Sequence, residues 1–453
     1  MKKLKILMLL SALCLPATLL YSQADAAKES KTEETGEDAK KKESSFKWPS
    51  FMTTEGADVS TGFRRQRLFE LSFSQVDLGI SNSWFGISEL MDVAGGITGT
   101  SDKEFSIDTY LKRGDLSFEL GIFVNPVSVR TRIGSLITLD LGTSFDSNIY
   151  FHTSDDTISS LKKMTELGNS LSEFSSLGSL KGDFIVAASA FGAITAGVEK
   201  KFLNDKLWVR AAPSAYVPVL YMPKDDSKLE GGYTDGRKWY ELKGSANMEA
   251  WYADLSNMAA GLDLALEGRY ALWPVFDAGA SVENIPVVPA FMHKRKGYEL
   301  TVDFKLPNPD PVVWGPTPPD PGSITMDYSF KDKDGHDAKK AVLRPTRFNF
   351  YGIVKPFKSK FVIIRPDVGF SVNTVAAAAT FNWGLGGQVN LPLILSVAAG
   401  TKLFEEVWSN YLSLIFDLGL FEVDVGAALR GTTFVSSWVG RGAEFSVGFK
   451  SGL

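Results

Sequence analysis

Residues 421–430, with the sequence FEVDVGAALR, determine the fold class of this protein. Every second residue is apolar, and the residues between them are small or charged: Phe421, Val423, Val425, Ala427 and Leu429 alternate with Glu422, Asp424, Gly426, Ala428 and Arg430. Successive side chains of a β-strand point to opposite faces of the sheet. This stretch therefore predicts a strand with one apolar face and one charged face.

The same alternation recurs along the chain, at 262–283, 297–306 and 381–391. None of the apolar registers in these stretches contains a charge, whereas the opposite registers include carboxylates and guanidinium groups. A Lys or Arg on the lipid face of a membrane barrel costs about 2–4 kcal/mol at the bilayer midplane, so an uncharged register fits a surface in contact with lipid. Counting such stretches predicts about 14 to 18 strands, many about ten residues long, which is the length of a tilted strand that crosses a bilayer.

Composition agrees with a β-protein. Aromatic residues make up 12% of the chain and glycine occurs 41 times, a composition that favours sheet with tight turns. No stretch after residue 26 has the ~20 unbroken apolar residues of a membrane-spanning helix, which excludes a helical transporter. Residues 443–449 alternate again and are expected to close a barrel against its first strand. We predict an all-β fold for 66–453, a transmembrane antiparallel barrel of about 14 strands. Alternation by itself also fits a β-sandwich with one wet face.

The first 65 residues differ from the rest of the chain. Residues 1–26 have the parts of a secretory signal: lysines at the start, an apolar stretch from Ile6 to Leu20, and the cleavage pattern Ala24-Asp25-Ala26. Residues 27–65 are expected to form a charged, mostly disordered leader. Cys14, the only cysteine, lies in the signal, so the exported chain would have no disulfide. The net charge of −5 argues against nucleic acid as a partner.

Two segments break the β-period and predict helices. In 84–94, apolar residues lie at helical spacing soon after the first strand, which suggests a short N-terminal plug inside a wide barrel or a helix on its rim. In 155–180, a longer apolar stripe follows Asp155, a suitable N-cap. This second helix is expected to insert into the barrel or overhang its mouth, or to form a surface interaction helix.

Residues typical of enzyme sites are sparse. His152, His293 and His336 lie in separate segments, never at metal-ligand spacing, and neither a nucleophile elbow nor a phosphate-binding glycine loop is present. Ser154 near His152 is the one local hint of a hydrolase. The run from Asp332 to Asp337 lacks the bidentate Glu of a calcium loop. We therefore expect no catalytic residue, no metal and no cofactor.

The signal, the early segment GISNSWFGISELMDV, the amphipathic strands and the closing RGAEFSVGFKSGL together resemble the long-chain fatty-acid transporter-like (FadL-like) group of outer-membrane barrels. The resemblance extends over about residues 66–453 and implies a 14-stranded barrel, plugged by an N-terminal hatch, through which apolar ligands pass. The hatch of that group has an Asn-Pro-Ala signature. The similar triplet here, Asn125-Pro126-Val127, follows a predicted strand instead.

The leading hypothesis is a monomeric outer-membrane barrel that binds or transports a hydrophobic small molecule such as a fatty acid. Its proposed ligand-binding residues are on the plug helix: Trp84, Phe85, Leu90 and Met91. Its partners would be outer-membrane lipid and that ligand, after cleavage of the signal near Ala26. Three alternatives stay open: a general diffusion porin or channel, a surface adhesin or structural barrel, and a soluble secreted β-protein.

Overall fold

A computed structural model describes most of the chain from residue 68 onwards. The described residues are 44–46, 59–61, 68–83, 86, 117–133, 137–153, 155–166, 180–234, 239–253, 260–307, 325–332, 339–358, 361–373, 378–391, 394–405 and 407–452. The predicted signal at 1–26 and nearly all of the predicted plug helix lie outside them, as does the end of the second predicted helix. Within the leader, β1 (Ser44–Phe46) pairs with β2 (Val59–Thr61).

Strands dominate the described part of the chain. They are β3 (Phe69–Asn82), β4 (Ser117–Ile133), β5 (Ile137–Thr153), β6 (Leu180–Phe202), β7 (Leu207–Thr234), β8 (Trp239–Tyr252), β9 (Gly261–Trp273), β10 (Phe276–Val288), β11 (Ala290–Met292), β12 (Lys294–Pro307), β13 (Thr325–Asp332), β14 (Lys340–Val342), β15 (Thr346–Val354), β16 (Val362–Asn373), β17 (Ala378–Asn390), β18 (Leu395–Phe404), β19 (Val407–Asp417), β20 (Phe421–Gly431) and β21 (Gly442–Gly452). Two helices accompany them, α1 (Asp155–Glu166) and α2 (Phe434–Trp438). None of the helices in these ranges is long and apolar enough to cross a membrane.

Among the described residues, fourteen strands form a closed antiparallel ring. Its order is β3, β4, β5, β6, β7, β9, β10, β15, β16, β17, β18, β19, β20 and β21. The ring closes where β21 pairs with β3, from Gly442 opposite Ser81 to Gly452 opposite Glu70. The predicted all-β barrel of about 14 strands is confirmed, and the closing strand is the one expected from 443–449.

Three further strands extend one side of the ring into a side sheet, formed by β8, β12 and β13. The first part of β7, Leu207–Tyr216, pairs with β9 in the ring, whereas its last part, Lys228–Thr234, pairs with β8. β8 then pairs with β12, and β12 with β13. The alternating stretch 297–306 is therefore a strand, as expected, but it lies in the side sheet and not in the closed ring.

The connections divide by length between the two ends of the ring. At one end, which we call the turn end, the strands are joined by short turns such as 203–206, 274–275 and 418–420. Gly419 lies in the last of these with a φ of 88°, and its N–H donates to Asp417 Oδ1 at 2.9 Å, a turn that suits glycine. The opposite loop end contains the long connections, including 83–116 and 289–345.

The triplet Asn125-Pro126-Val127 lies inside β4, which continues to Ile133, and not after a strand. The pairing of β4 with β5 shifts register between Val124 and Ser128. Proline lacks the N–H of a regular ladder, so a position at such an irregularity suits Pro126. β4 ends at Ile133 and β5 begins at Ile137, so residues 127–141 belong to two strands.

The two faces of the ring differ as the alternation predicts. In β20, Val425 is 47% exposed on the outer face, while Glu422 and Arg430 on the inner face are 1% and 2% exposed. The same division holds in β17, where Phe381 is 62% exposed and Gln388 is buried. Along β17 and β20 the outside of the ring is thus an exposed apolar surface, and the charges point into the lumen. A sandwich would have buried the apolar face, so that alternative is excluded.

Helix α1 is the described part of the second predicted helix. It packs against β6 beyond the ring: Thr157 Oγ1 donates to the carbonyl of Asp183 and Ser160 Oγ to that of Lys181, both at 2.7 Å. Ile158 is buried at this contact. Gly182, in the same register as the buried Ala188, lies directly beneath Thr157, and a Cβ there would collide with it. The helix therefore covers the extended wall of β6.

Candidate functional site: the lumen and its apolar ribbon

Inward registers of four neighbouring strands place a charge cluster in the lumen. Arg210 on β7 lies 3.0 Å from Asp140 Oδ2 on β5 and 3.9 Å from Glu199 Oε1 on β6, through its Nη2 and Nε atoms respectively. Arg130 on β4 donates to Glu199 Oε2 at 2.6 Å. All four residues are at least largely buried. Charges this far from water need opposite charges beside them, and the strand registers supply these partners.

Ion pairs continue around the ring. Lys355 lies 2.8 Å from Asp277, Lys450 3.0 Å from Glu422, Arg347 3.4 Å from Glu405, and Arg430 between Glu119 and Glu444 at 3.6 and 3.9 Å. Most of these side chains are nearly inaccessible to solvent; Lys450 and Glu422 are each 1% exposed. A wide water-filled channel would leave its lining charges hydrated. At these low exposures the side chains of the ion pairs are packed against other protein atoms.

A small pocket lies among the inward side chains of β15 to β18. Arg365, Asp367, Asn382 and Lys402 are among the residues that line it, and it has space for about one water molecule. Next to it the guanidinium of Arg365 lies 4.5 Å from the ring centre of Tyr351. This pocket is too small for an apolar ligand.

Strands β11 and β14 form a two-stranded ribbon that comes from the long connection between β10 and β15. Ala290 pairs with Val342 and Met292 with Lys340. The ribbon packs on the inner face of the wall, where Tyr216 lies in the same inward register as Arg210. The Tyr216 hydroxyl donates to the carbonyl of Val342 at 2.9 Å and accepts from the Ala290 N–H at 3.3 Å.

Two further contacts hold the segment that follows β14. Arg344, just after β14, donates to Asp263 Oδ2 on β9 at 3.2 Å, and both side chains are buried. Asn284 on β10 donates to the carbonyl of Pro345 at 2.8 Å. This end of the ribbon is thereby attached to β9 and to β10. The ribbon covers part of the lumen near the loop end.

The ribbon completes an apolar cluster in the otherwise charged lumen, which we call the lumen cluster. Its buried members are Ala187, Phe191, Ala193, Tyr216, Tyr221, Trp251, Ala290, Met292 and Val342, with the half-buried Tyr150 against them. The rings of Phe191 and Tyr216 meet edge to face, 6.2 Å apart. The lumen cluster therefore gives this part of the lumen an apolar surface beside the ion pairs of the neighbouring strands.

The residues proposed from the sequence as the ligand site, Trp84, Phe85, Leu90 and Met91, lie outside the described residues. Sequence reasoning missed the ribbon. Its strands are three residues long, AFM at 290–292 and KAV at 340–342, too short for a period to show. The large apolar residues of the lumen cluster also come from segments that are far apart in sequence. Apolar side chains in inward registers, such as Phe191 and Tyr216, were the available signal.

His152, two residues before Ser154 in the sequence, lies on the inward face of β5. Its Nδ1 lies 2.8 Å from the hydroxyl of Ser117 on β4, which shares the inward face, while Ser154 lies outside the described residues. Beside this pair, Asn148 donates to Glu119 Oε1 at 3.1 Å. Nowhere in the part of the chain that the structure describes do three or more His, Cys, Asp or Glu residues gather as metal ligands.

No protein-family model matches this sequence, and no curated protein is similar to it. Among solved structures, the Pseudomonas putida toluene transporter TodX is similar at 8% identity and a TM-score of 0.41, over 85% of this chain and 89% of that one. A Pseudomonas aeruginosa FadL homologue is similar at 10% identity and a TM-score of 0.40, over 86% and 91%. The translocator domain of the autotransporter NalP from Neisseria meningitidis follows at 8% identity and a TM-score of 0.28, over 86% and 89%.

The second of these structures bears the name of the group that the sequence resembles. Values this low decide neither a family nor a ligand. The fourteen-strand ring rests on the strand registers of the chain itself.

Proposed function

We propose that the protein is an outer-membrane barrel that binds an apolar small molecule and passes it inward. The observation that supports this most strongly is the lumen cluster. Burying a large apolar side chain in a lumen of paired charges has no value for a water-filled pore, but it provides a contact surface for a molecule that water disfavours. The buried ion pairs elsewhere in the lumen argue against free diffusion of ions and solutes.

The position of the lumen cluster indicates a binding step before passage. It lies near the loop end, where the long connections converge, and the ribbon is attached through hydrogen bonds and one ion pair. β11 and β14 form a two-stranded sheet of their own and are not part of the strand ladder of the ring, so displacement of the ribbon would leave the ring closed. Ligand binding would compete with contacts inside the cluster, and displacement of the ribbon would uncover the lumen. A fatty acid or a monoaromatic hydrocarbon is of suitable apolar character.

The remaining expectations from the sequence belong to this proposal. The chain would be exported through the signal at 1–26, cleaved near Ala26, and inserted as a monomer. Mass spectrometry of the N-terminal peptide from isolated outer membranes tests the cleavage site. Size analysis of the detergent-extracted barrel tests the monomer.

Uptake by whole cells tests the function, with two substitutions on opposite faces of β11. Met292→Asp places a carboxylate in the lumen cluster, whereas Phe291→Asp changes the neighbouring residue, whose side chain lies on the other face of the strand and is half-buried. Loss of one buried apolar contact corresponds to about 1.5–3 kcal/mol, so uptake of a labelled long-chain fatty acid or of toluene should fall about tenfold or more in Met292→Asp. Phe291→Asp should stay near the unmodified protein.

Both variants must first show the heat-modifiable gel migration of a closed barrel. Uptake that is equally high in cells with folded Met292→Asp and in cells with the unmodified protein would refute the proposed role of the lumen cluster. If cells with the unmodified protein took up no more of the labelled molecule than cells lacking the protein, transport would be refuted altogether.

A further inference from the structure

Helix α2 presents an uncharged apolar surface at the loop end. It lies in the connection between β20 and β21, and residues 431–440, GTTFVSSWVG, contain no charge. Thr433 is its N-cap: its hydroxyl accepts from the Ser436 N–H, and the Ser436 hydroxyl accepts from the Thr433 N–H. This capping box gives a five-residue helix a defined start. The segment is therefore an ordered element with a fixed orientation.

The helix packs on the outside of the wall and not over the lumen. Asn410 on β19 is in the outward register of Leu412, and its amide donates to Ser437 Oγ at 2.7 Å. Trp408, in the same register, contacts Phe434 with ring centres 5.1 Å apart. Trp383 on β17 continues this row, 5.3 Å from Trp408. The connection between β20 and β21 thus folds back over the outside of the barrel.

Helix α2 covers a polar position on the outside of the ring and exposes apolar side chains in its place. Without α2, the Asn410 amide would face outward within an otherwise apolar register; with it, Asn410 is only 9% exposed. The two serines of the helix are buried toward the wall. The exposed side chains on the other side are Phe434 at 45%, Val435 at 70%, Trp438 at 58% and Val439 at 62%.

We propose that α2 is embedded in the membrane and places this apolar face among the lipid acyl chains near the headgroup boundary, in the leaflet at the loop end. Three exposed apolar side chains on this uncharged helix, with Val439 directly after it as a fourth, are unfavourable in water. The face is continuous with the outer surface of the ring through Trp408 and Trp383, and tryptophan favours the interface between lipid and water. The helix would fix how deeply this side of the barrel is immersed. This inference rests on the membrane location given in the proposed function.

Spin labels on single cysteines test the inference in the full-length chain, on a Cys14→Ser background. Val435→Cys reports on α2, Leu412→Cys on the outer surface of the ring, and Lys243→Cys on the exposed side sheet. The unpaired electron of a label in lipid collides more with oxygen and less with a water-soluble nickel complex. In phosphatidylcholine vesicles, the ratio of the two accessibilities at Val435 should approach the value at Leu412 and exceed that at Lys243 several-fold.

Val439→Cys gives a second reading on the same face, and all variants should retain heat-modifiable migration because the substituted side chains are exposed. A lipid-like ratio at Leu412 with a water-like ratio at both Val435 and Val439 would overturn the inference and leave the barrel in the membrane. Water-like ratios at Leu412, Val435 and Val439 would overturn both this inference and the membrane location in the proposed function. Dipolar broadening between labels at Val435, persisting on dilution with lipid, would instead show that a second copy of the chain covers α2 and would overturn the lipid contact.

Discussion

At the scale of the residue, parity along the strand decides whether a side chain points outward or into the lumen. Arg210 and Val209 are neighbours on β7, yet Arg210 lies among buried carboxylates and Val209 is 36% exposed on the outside. Nothing else in their local sequence distinguishes their surroundings. The partners of Arg210, Asp140 and Glu199, come from two other strands, so the ion cluster forms only after three strands are in register.

Replacing Arg210 tests the importance of this cluster. Arg210→Met keeps much of the side-chain volume but leaves Asp140 without its ion pair, and breaking a buried pair typically costs about 3–5 kcal/mol. We expect a loss of this size in the free energy of unfolding, measured by urea titration of the barrel in vesicles. The control Val209→Ala should cost about 1 kcal/mol or less, because its side chain is on the surface. Equal losses in the two variants would show that the cluster does not stabilise the ring.

At the scale of the element, the ribbon and the side sheet show what long connections add to a barrel. The ring alone is built from neighbouring strands joined in sequence, except across the two insertions that contain β8 and β11 to β14. β8 from the first insertion, together with β12 and β13 from the second, extends the wall beyond the ring, whereas β11 and β14 turn back onto its inner face. Both lie at the loop end, where long connections do not interrupt strand pairing.

Shortening the ribbon tests whether it covers the lumen. Replacing residues 290–342 with a short glycine and serine linker removes β11, β12, β13 and β14 but retains β10 and β15 of the ring. We expect conductance in planar bilayers to rise above that of the unmodified protein. Tyr216→Phe removes only the hydroxyl that contacts Val342 and Ala290, so it should give brief openings and retain the closed level. Conductance as low after the replacement as before would mean that other segments close the lumen.

The side sheet, which lies outside the ring, contains a carboxylate with a shifted pKa. Glu241 on β8 accepts from Lys305 on β12 at 2.8 Å and lies 3.2 Å from Lys243, and these two lysines lower its pKa. A lowered pKa means that the folded sheet favours the charged form. Its contribution to stability is present above the unfolded-state pKa and is lost as the pH falls through the folded-state value.

Amide hydrogen exchange of β8 and β12 should therefore be constant near neutral pH, after correction for the intrinsic rate. It should accelerate only when the pH falls below the ordinary range of a glutamate. In Glu241→Gln this acid dependence should weaken, while Lys243→Gln should keep part of it because Lys305 is the stronger partner. Acid dependence of the same size in Glu241→Gln would assign the effect to another group.

At the scale of the whole molecule, the ring depends on one long-range pairing. β21 and β3 lie at opposite ends of the described sequence, and eleven residues of β21 complete the circle. The N–H of Asn82 donates to the carbonyl of Arg441 at 3.1 Å, and Arg441 in turn contacts the Ser83 carbonyl. An open edge in the hydrocarbon region would leave backbone groups without partners, at several kcal/mol each.

Truncation after Arg441 tests this closure. The remaining chain lacks β21 and should fail to show heat-modifiable migration, and proteases should degrade it in vesicles. Removal of 27–65 should leave migration unchanged, since no described residue of that segment pairs with the ring. A resistant, heat-modifiable species from the truncated chain would show that a ring of thirteen strands closes without β21.

The sequence by itself determined the periodic part of this protein. Alternation is local: parity places Glu422 and Arg430 on one face and Val425 on the other before any partner strand is known. An uncharged register of about ten residues also predicts a surface that lipid can cover. The barrel class, the strand at the C-terminus and the inward direction of the charges could therefore be predicted from composition and spacing.

Only the tertiary structure decided which strands belong to the ring, which charges pair and what occupies the lumen. The stretch 297–306 has the same period as the ring strands, so its place in the side sheet could not be read from its residues. The ribbon is too short for a periodic signal, and Tyr216 recognises it through backbone atoms that every sequence has. Helix α2 lies outside because Asn410 and Ser437, 27 positions apart, form a hydrogen bond. Contacts between distant segments depend on the register and closure of the whole ring, and no local pattern encodes them.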